Sequence, residues 1–296
     1  MKVFVTGATG FVGSAVVAEL VAAGHSVLGL SRNEEKGAIL AGQGAEVLHG
    51  QLEDVKLLAD AARKCDATIH CGFNHDFTRF QENCIQEGKS VTAMGEAYIG
   101  TNKPLLVTSG VGVMAGNQIV TEDTEVQADS HNPRKITEMT ANTLIAKGVD
   151  VRAIRLPIVH GDSDPGFLTM LINIARQKGF VGYAGEGSNG WASVHRLDAA
   201  RLYRLALEKG RFGARYHPVD EPRVPLREIA QVAAGRLGLE ARSLTGDAIT
   251  EYFTWFSHFA QMDMNASSTI TRQALGWEPQ EIGLIKDLET SNHYFA

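Results

Sequence analysis

The fold of this chain is indicated most clearly by the sequence VTGATGFVGS at residues 5–14. It follows a short, alternating, β-rich run and places Gly7, Gly10 and Gly13 at intervals of three. Downstream, apolar residues recur at helical spacing and predict a helix over residues 14–23, which ends at a glycine. The chain is therefore expected to begin with a strand, a glycine turn and a helix.

Each of the three glycines has a predicted role in that turn. Gly7 allows the tight turn, Gly10 leaves no side chain where the backbone meets a ligand, and Gly13 lets the helix approach the sheet closely. The first N–H groups of a helix are unpaired and carry a partial charge of about +0.5, so an anion binds there without a basic side chain. The turn therefore predicts a site for the pyrophosphate of a dinucleotide.

Strands and helices alternate along the first half of the chain, which is typical of a parallel sheet covered on both faces. Strands are predicted at residues 2–6, 25–30, 45–50, 67–72, 104–110 and 151–157. Helices are predicted at residues 53–64, 77–100, 133–147, 167–178 and 198–209. We therefore expect an α/β fold with a doubly wound parallel sheet in residues 1–160, returns to it from about 191–220, and a smaller, interleaved substrate lobe in residues 161–296.

The composition argues against several other classes of protein. A chain of 296 residues that is 44% hydrophobic and 21% charged is typical of a soluble globular protein, and a net charge of −6 argues against nucleic-acid binding. Cys65, Cys71 and Cys84 form no C-x-x-C pair, so we expect buried thiols in a reducing compartment and no metal site. No run approaches the roughly 18 apolar residues of a membrane span. We expect a cytoplasmic protein that has a small-molecule substrate and no membrane partner.

The end of the second predicted strand bears on the choice of dinucleotide. A ribose 2′-hydroxyl is usually held by an acidic residue there, whereas a 2′-phosphate needs a cation. The chain has Ser31 and Arg32, which could donate hydrogen bonds to a phosphate, followed by Glu34 and Glu35. We therefore expect NADP(H) to be preferred over NAD(H). The alternative is that Arg32 is a solvated loop cation.

The chain resembles the extended and atypical short-chain dehydrogenases/reductases, which include NAD(P)-dependent epimerases and dehydratases. TGATGFVG has their G-x-x-G-x-x-G spacing, and HGQLED, IHCGF and VTSG are similar to the segments that end their third, fourth and fifth strands. RLPIVHG, ASVHRLDAARLY and TRQALGWEP are similar to three later family segments. The resemblance covers about residues 1–280 and implies a Rossmann fold.

The resemblance also implies a set of cofactor-binding residues, which follow the dinucleotide from its phosphates to its two ends. They are Gly7, Thr9, Gly10, Phe11, Val12 and Gly13 for the pyrophosphate, Ser31 and Arg32 for the 2′-phosphate, Gln51 and Leu52 for the adenine, Cys71, Gly72 and Phe73 along the cofactor path, and Leu156, Pro157, Ile158 and Val159 under the nicotinamide.

The family's proton donor is missing from this sequence. The family protonates the alkoxide with a Tyr whose pKa is lowered by a Lys four residues later, and no Y-x-x-x-K is present. Alignment on Glu138 places Ser130 at the tyrosine position and Arg134 at the lysine position, while a shift of one residue gives His131 and Lys135. Arg134 could hold the nicotinamide ribose and favour an anionic transition state, but it cannot act as a general base.

Other side chains are candidates for the chemistry. Ser109 could polarise a carbonyl, although it is followed by Gly110 and its register is open. His131 has a suitable intrinsic pKa, Tyr183 lies in a glycine-rich segment that could face the substrate, and Asp76 follows the fourth strand near the edge where ligands bind.

An aromatic segment follows in the second half of the chain. Tyr252, Phe256 and Phe259 are predicted to share one helical face. That face would serve core packing, packing between the subunits of a homodimer, or the wall of a ligand site.

Three functions are compatible with the sequence. The first is an NADP(H)-dependent oxidoreductase that transfers hydride between nicotinamide and a small or medium carbonyl or alcohol, with protonation by water, His131 or Tyr183. The second is a catalytically silent NADP-binding sensor or regulator, which fits the missing tyrosine. The third is an NAD(P)-dependent epimerase or dehydratase. The sequence does not identify the substrate.

Overall fold

A central parallel sheet organises the computed structural model, which describes residues 1–116 and 118–296. Its strands, and those of two smaller sheets, are β1 (Lys2–Thr6), β2 (Ser26–Ser31), β3 (Glu46–His49), β4 (Ala67–His70), β5 (Leu105–Gly110), β6 (Val151–Leu156), β7 (Ile158–His160), β8 (Val181–Ala184), β9 (Gly190–His195), β10 (Arg215–Tyr216), β11 (Glu221–Pro225) and β12 (Ala241–Leu244). The central sheet has the order β10-β6-β5-β4-β1-β2-β3. The order reverses between β1 and β4, which is where ligands bind in open α/β sheets.

The predicted doubly wound α/β fold is confirmed. The six predicted strands all form and pair in parallel. A seventh, β10, adds to β6 and was not predicted, because two residues are too few to show a pattern. The smaller sheets have the orders β11-β9-β7 and β12-β8.

Helices cover both faces of the central sheet and form about half of residues 161–296. They are α1 (Phe11–Ala22), α2 (Glu34–Gly42), α3 (Val55–Arg63), α4 (Phe80–Glu96), α5 (Lys135–Ala146), α6 (Phe167–Lys178), α7 (Arg196–Lys209), α8 (Leu226–Leu237), α9 (Asp247–Phe253), α10 (Ser257–Gln261), α11 (Thr269–Leu275) and α12 (Leu284–Thr290). On one face α1 and α7 bury Leu20 and Tyr203, and on the other α3, α4 and α5 bury Leu58, Met94 and Leu144. Removing each such side chain from water contributes about 1.5–3 kcal/mol, and this burial holds the two helical layers against the sheet.

A second core lies in the C-terminal part of the chain. It joins α6, α8, α9, α10 and α12 around the fully buried Trp191 and Phe256. No helix in residues 1–116 or 118–296 is both long and apolar enough to cross a bilayer. Cys65 and Cys84 are buried as expected, whereas Cys71 is only half-buried because it lies at the open edge of the sheet.

Several helices differ from their predicted bounds. The first begins at Phe11 rather than at residue 14, so its amino end directly follows the glycine turn. Residues 77–79 form a separate 3₁₀ turn before α4, which ends at Glu96. The expectation that Tyr252, Phe256 and Phe259 share one continuous helical face is wrong. The helix is interrupted after α9 by a 3₁₀ turn in which Thr254 has a φ of +51°.

Candidate active site

The glycine turn forms a cradle at the carboxyl end of β1. Gly7 has a φ of +65°, and a Cβ at this position would lie 2.7 Å from the backbone carbonyl of Cys71. A Cβ on Gly13 would lie 2.0 Å from the carbonyl oxygen of Gly7. The close approach required of Gly13 is therefore to the turn itself rather than to the sheet. Both positions need glycine, because the backbones of the turn, α1 and β4 pack directly against each other.

The amino end of α1 faces outward from this cradle. Its N-cap, Gly10, is exposed and supplies no capping side chain, while Thr9, Phe11 and Val12 are half-buried around it. The first intrahelical bond of the turn is donated by the N–H of Ser14 to the carbonyl of Gly10. The N–H of Gly10 already donates to the carbonyl of Gly7 at 2.9 Å, so the amides after Gly10 are the ones available to an anion, and the residues present fit a pyrophosphate.

The carboxyl end of β2 lies beside the cradle. The hydroxyl of the buried Ser31 donates to the carbonyl of Asn33 at 2.7 Å, and Asn33 in turn caps α2 by accepting from the N–H of Lys36. Arg32 is exposed between them. Glu34 begins α2, as an acidic residue in a first helical turn commonly does. Of the two predicted 2′-phosphate ligands, Arg32 is accessible, whereas the proton of Ser31 is already engaged in the loop.

The predicted adenine residues follow β3. Gln51 is exposed and Leu52 is half-buried. A Cβ on Gly72 would lie 2.7 Å from Cδ2 of Leu52, so this leucine packs directly on the chain that leaves β4. The carbonyl of Leu52 accepts from the hydroxyl of Ser90 on α4 at 2.7 Å. This bond fixes Leu52 against α4, and we call the surface formed by Gln51 and Leu52 the shelf.

A half-buried apolar surface continues from the cradle toward β6. Val12, Cys71, Leu156 and Val159 pack on the core under α1 and α7 while one side of each remains open, and Pro157 is buried between the last two. Burial raises the pKa of the Cys71 thiol to about 12, so it remains protonated. The surface is therefore uncharged.

Arg134 occupies the same edge at the end of β5. One guanidinium nitrogen donates to the carbonyl of Thr108 at 3.2 Å, and another pairs with the carboxylate of Glu87 on α4. The guanidinium carbon lies 3.8 Å from the ring centroid of Phe73, in a cation–π contact. Glu87 is only 5% exposed and also accepts from the hydroxyl of Thr137 at 2.6 Å. Arg134 is thus fixed by contacts with β5, α4 and the chain after β4.

His70 lies between the glycine cradle and the ion pair of Arg134 with Glu87. Thr6 Oγ1 lies 2.7 Å from His70 Nδ1 and also accepts from the N–H of Gly72. We assign the Thr6 hydroxyl proton to Nδ1, which leaves the proton of His70 on Nε2. That nitrogen lies 3.9 Å from Glu87 Oε1, too far for a direct hydrogen bond. We call Thr6, His70, Glu87 and Arg134 the edge network.

Two atoms of the edge network are buried without a hydrogen-bond partner among the described residues, namely His70 Nε2 and Glu87 Oε1. Desolvation, and secondly the charge of Arg134, lower the pKa of His70 to about 3, so the imidazole is neutral. Desolvation raises the pKa of Glu87, while Arg134 and Thr137 oppose that shift. Unpaired buried polar atoms are costly, and here they lie at the edge where a ligand would bind.

The sequence did not single out His70 or Glu87. A signal was present, because Glu87 lies four residues after Asn83 and four before Val91, on the face of α4 that is buried. A carboxylate on a buried helical face requires a cation, and Arg134 was already a candidate. The pairing joins residues 47 positions apart, which the spacing of one helix does not show.

The other predicted catalytic residues are spread around this edge. Ser109 is 3% exposed, its hydroxyl lies near the carboxylate of Glu138, and it neighbours Arg155 on β6. His131 is exposed in the loop before α5. The ammonium of Lys135 donates to the carbonyl of Ala128 at 2.6 Å.

The last two predicted catalytic residues, Asp76 and Tyr183, lie in different halves of the chain. Asp76 is exposed and caps the 3₁₀ turn after β4 by accepting from the N–H and the hydroxyl of Thr78, bonds that lower the pKa of its carboxyl. Tyr183 lies on β8, half-buried against Gly187 in the second core. The structure thus brings Arg134 into contact with Phe73, one of the predicted cofactor residues, and places Tyr183 in a different sheet.

Comparisons with known proteins agree with this architecture. The family model "NAD dependent epimerase/dehydratase family" matches residues 3–219. The chain belongs to this family, and the resemblance predicted from the motifs is confirmed. Membership supports an enzyme of the NAD(P)-dependent epimerase, dehydratase or reductase type.

Individual relatives extend the match to the whole chain. An uncharacterized protein of Saccharomyces cerevisiae is 42% identical over 294 residues, which cover 98% of this chain and 99% of the relative. The decarboxylating sterol-4-alpha-carboxylate 3-dehydrogenase of Dictyostelium discoideum is 29% identical over 251 residues, covering 77% and 74% of the two chains. Among solved structures, a double mutant of the dTDP-glucose 4,6-dehydratase DesIV of Streptomyces venezuelae, with NAD bound, has a TM-score of 0.79 at 21% identity and covers 100% and 97%. That likeness shows the fold.

Proposed function

We propose that the protein is an NADP(H)-dependent oxidoreductase that transfers hydride between nicotinamide and a small or medium carbonyl or alcohol. The observation that carries the proposal is the placement of an uncapped helix end and a fixed guanidinium on one sheet edge. The cradle at Gly10 would hold the phosphates, and Arg134 lies where β5 ends at the same edge. Residues 161–296 would form the substrate lobe, with returns to the main sheet from about 191–220.

The residues along this edge of the sheet fit a nicotinamide dinucleotide from its adenine to its nicotinamide. The amides after Gly10 would bind the pyrophosphate and the shelf at Leu52 the adenine. The half-buried surface of Cys71, Leu156 and Val159 would lie under the nicotinamide. When bound in its reduced form, the nicotinamide supplies a hydride to the carbonyl carbon of the substrate and is oxidised.

Arg134 is proposed to stabilise the oxygen that gains negative charge. As the carbon–hydrogen bond forms, the π pair of the carbonyl moves to oxygen, and that oxygen must then take up a proton. A guanidinium held by Thr108 and Glu87 needs no reorganisation to meet this charge. The proton would come from water, with His131 and Tyr183 as the side-chain alternatives.

The preference for NADP(H) is proposed to depend on Arg32. This side chain is exposed at the end of β2, where a 2′-phosphate would lie beside the cradle. Arg32→Ala is expected to weaken NADPH binding about tenfold and to leave NADH binding unchanged, because a charge-assisted bond is lost only with the phosphate. Lys36→Ala removes another exposed cation of the same region and serves as the matched control. An equal effect of Arg32→Ala on both coenzymes would overturn the preference.

The test of the whole proposal is NADPH consumption with a panel of aldehydes, ketones and quinones. Arg134→Met/Glu87→Met removes both charges of the buried pair together and is expected to lower turnover at least 100-fold, with NADPH affinity within threefold of wild type. Arg204→Met/Glu19→Met removes an ion pair between α7 and α1 and should leave turnover unchanged. Tight NADPH binding with no turnover on any carbonyl would favour the sensor, which the absence of a phenol at Ser130 also fits.

A further inference from the structure

We infer that the substrate is a flat, uncharged carbonyl compound whose carbonyl is conjugated to a ring. It would bind along a set of side chains that we call the aromatic strip, consisting of Phe73, His75, Phe77, Trp255 and Phe259. The inference rests on the proposed function, because it assigns the substrate class of the same site.

The aromatic strip begins at the edge network. The guanidinium carbon of Arg134 lies 3.8 Å from the centroid of Phe73. Successive centroids are 5.1 Å apart from Phe73 to His75, 6.3 Å from His75 to Phe77 and 5.3 Å from Phe77 to Trp255. These distances lie within the 4.5–7 Å range of favourable aromatic pairs. A continuous aromatic surface therefore leads from the guanidinium to Trp255.

The aromatic strip is built from two separate segments of the chain. Phe77 follows β4, whereas Trp255 and Phe259 belong to the segment between α9 and the end of α10. Phe77 stacks on Trp255 with 25° between the rings and meets Phe259 edge-on at 5.7 Å. Trp255 is 53% exposed, so the outer end of the strip keeps a ring face open to solvent. A core contact would have buried that face.

The backbone that carries Trp255 is strained. Thr254 has a φ of +51°, a conformation that is unfavourable for a β-branched residue. Strain of this kind persists where the surrounding structure requires it, and it clusters at ligand sites. Here it directs the chain into the 3₁₀ turn that holds Trp255 against Phe77. This observation is independent of the ring geometry.

The cations along the aromatic strip are already paired. Arg134 is neutralised by Glu87, and Arg79, which follows Phe77, forms an ion pair with Glu82 in which Nε lies 2.8 Å from the carboxylate. A guanidinium has five N–H donors, so Arg134 can still donate to a single carbonyl oxygen, whereas a diphosphate sugar with its full negative charges would have to compete with Glu87 and Glu82 for these cations. An uncharged ring meets no such cost and gains stacking on each side chain.

Two aldehydes of equal carbon number test the inference. Benzaldehyde is flat and conjugated, whereas cyclohexanecarbaldehyde is saturated and puckered. Wild-type protein with NADPH is expected to show a kcat/KM at least tenfold higher for benzaldehyde. Trp255→Leu should lower that value about tenfold, mainly through KM, and leave cyclohexanecarbaldehyde within twofold. Phe212→Leu changes another exposed aromatic ring, in the loop after α7, and should affect neither substrate.

Tryptophan fluorescence gives a readout that needs no turnover. Trp191 and Trp277 are buried, so quenching by an added aldehyde reports mainly on Trp255. Benzaldehyde should quench the wild type more than cyclohexanecarbaldehyde does, and Trp255→Phe should remove the difference. Equal quenching, equal turnover of the two aldehydes, or a higher kcat/KM for oxidation of UDP-glucose with NADP⁺ would overturn the inference. Failure of the proposed function is a different result, namely no NADPH binding and no turnover of either aldehyde.

Discussion

Two buried polar networks lie in the two halves of this molecule, and they are built differently. The edge network joins Thr6, His70 and Glu87 to Arg134 at the carboxyl end of the sheet. The second, which we call the tail network, consists of His160, Asp164, Asp287 and Tyr294. His160 Nδ1 lies 2.9 Å from Asp287 Oδ2, and the hydroxyl of Tyr294 donates to the same oxygen at 3.1 Å.

The difference lies in what each network leaves open. In the edge network, His70 Nε2 and Glu87 Oε1 are buried with no hydrogen-bond partner among the described residues, and the guanidinium of Arg134 lies over the ring of Phe73. In the tail network, the Asp287 carboxylate is bonded from two sides, and Tyr294 also accepts from the N–H of Gly161. The first arrangement is typical of a functional site and the second of an anchor, here for the chain end against β7.

The largest expected change in stability follows from removing one partner of the ion pair in the edge network. Arg134→Met leaves the carboxylate of Glu87 buried without its cation, and the free energy of unfolding is expected to fall by about 3–5 kcal/mol. Chemical denaturation measures the loss. Arg134→Met/Glu87→Met should recover most of the stability and none of the turnover. A single variant within 1 kcal/mol of wild type would show that the pair is not buried as described.

The networks should also respond to acid in opposite directions. The pKa of His70 is lowered to about 3 in the folded protein, so below pH 6.5 the unfolded chain binds a proton more readily, and the free energy of unfolding decreases as the pH falls. His70→Asn keeps an acceptor for Thr6 and removes the titration. Relative to wild type, this variant should gain about 2–3 kcal/mol between pH 6.5 and 4.5. A constant difference over that range would contradict a neutral, buried His70.

In the tail network, burial raises the pKa of Asp164 to about 7, with Asp287 nearby adding to the shift. The folded protein therefore holds this proton more tightly than the unfolded chain, and stability falls as pH rises from about 4 to 7. Asp164→Asn should remove that dependence in denaturation experiments across the same range. If Asp164→Asn and His70→Asn change the pH dependence in the same direction, the contrast between the networks fails.

A smaller effect is expected at the anchor. Tyr294→Phe removes a donor to Asp287 and an acceptor for the N–H of Gly161, and should lower the free energy of unfolding by about 1–2 kcal/mol. Because the tail network is proposed to be structural, kcat/KM should stay within twofold of wild type. A tenfold loss of kcat/KM without loss of stability would show that the tail network contributes to catalysis.

The smallest effect concerns the strained turn. Thr254→Gly relieves a positive φ and is expected to raise the free energy of unfolding by up to about 1 kcal/mol, less the entropy cost of glycine. In thermal denaturation the midpoint should rise by a few degrees. Thr250→Gly, in the preceding helix α9, is the control and should be destabilising. A Thr254→Gly variant less stable than wild type would show that the turn is not strained.

Much of the sheet could be predicted from the sequence, because each strand and its turn are local. Gly7 and Gly13 marked the cradle, and the ends of β4, β5 and β6 were correct within about two residues. Arg134 was predicted as a site residue from a family alignment, and it lies at the carboxyl edge of the sheet.

The remaining features depend on contacts between distant parts of the chain. The role of Glu87 depends on its ion pair with Arg134, which forms because α4 packs beside the start of α5, and the sequence does not show this packing. The stacking of Phe77 on Trp255 joins the segment after β4 to the segment after α9, and no periodicity within either segment predicts it. The interruption at Thr254 occurs in a stretch with an unbroken helical pattern, so tertiary packing overrides the local preference there.

We propose that the amides after Gly10 bind the pyrophosphate of a nicotinamide dinucleotide, and calorimetric titration with NADPH and NADH measures this binding. Gly10 is exposed with φ −85° and ψ 175°, so Gly10→Asp can cap α1 with its own carboxylate and occupy these amides. We expect the wild type to bind, Gly10→Asp to lose affinity at least 100-fold, the uncharged Gly10→Asn to lose less, and neither variant to lose thermal stability. Undiminished binding to Gly10→Asp, or no binding of either coenzyme to wild type, would show that these amides do not hold the pyrophosphate.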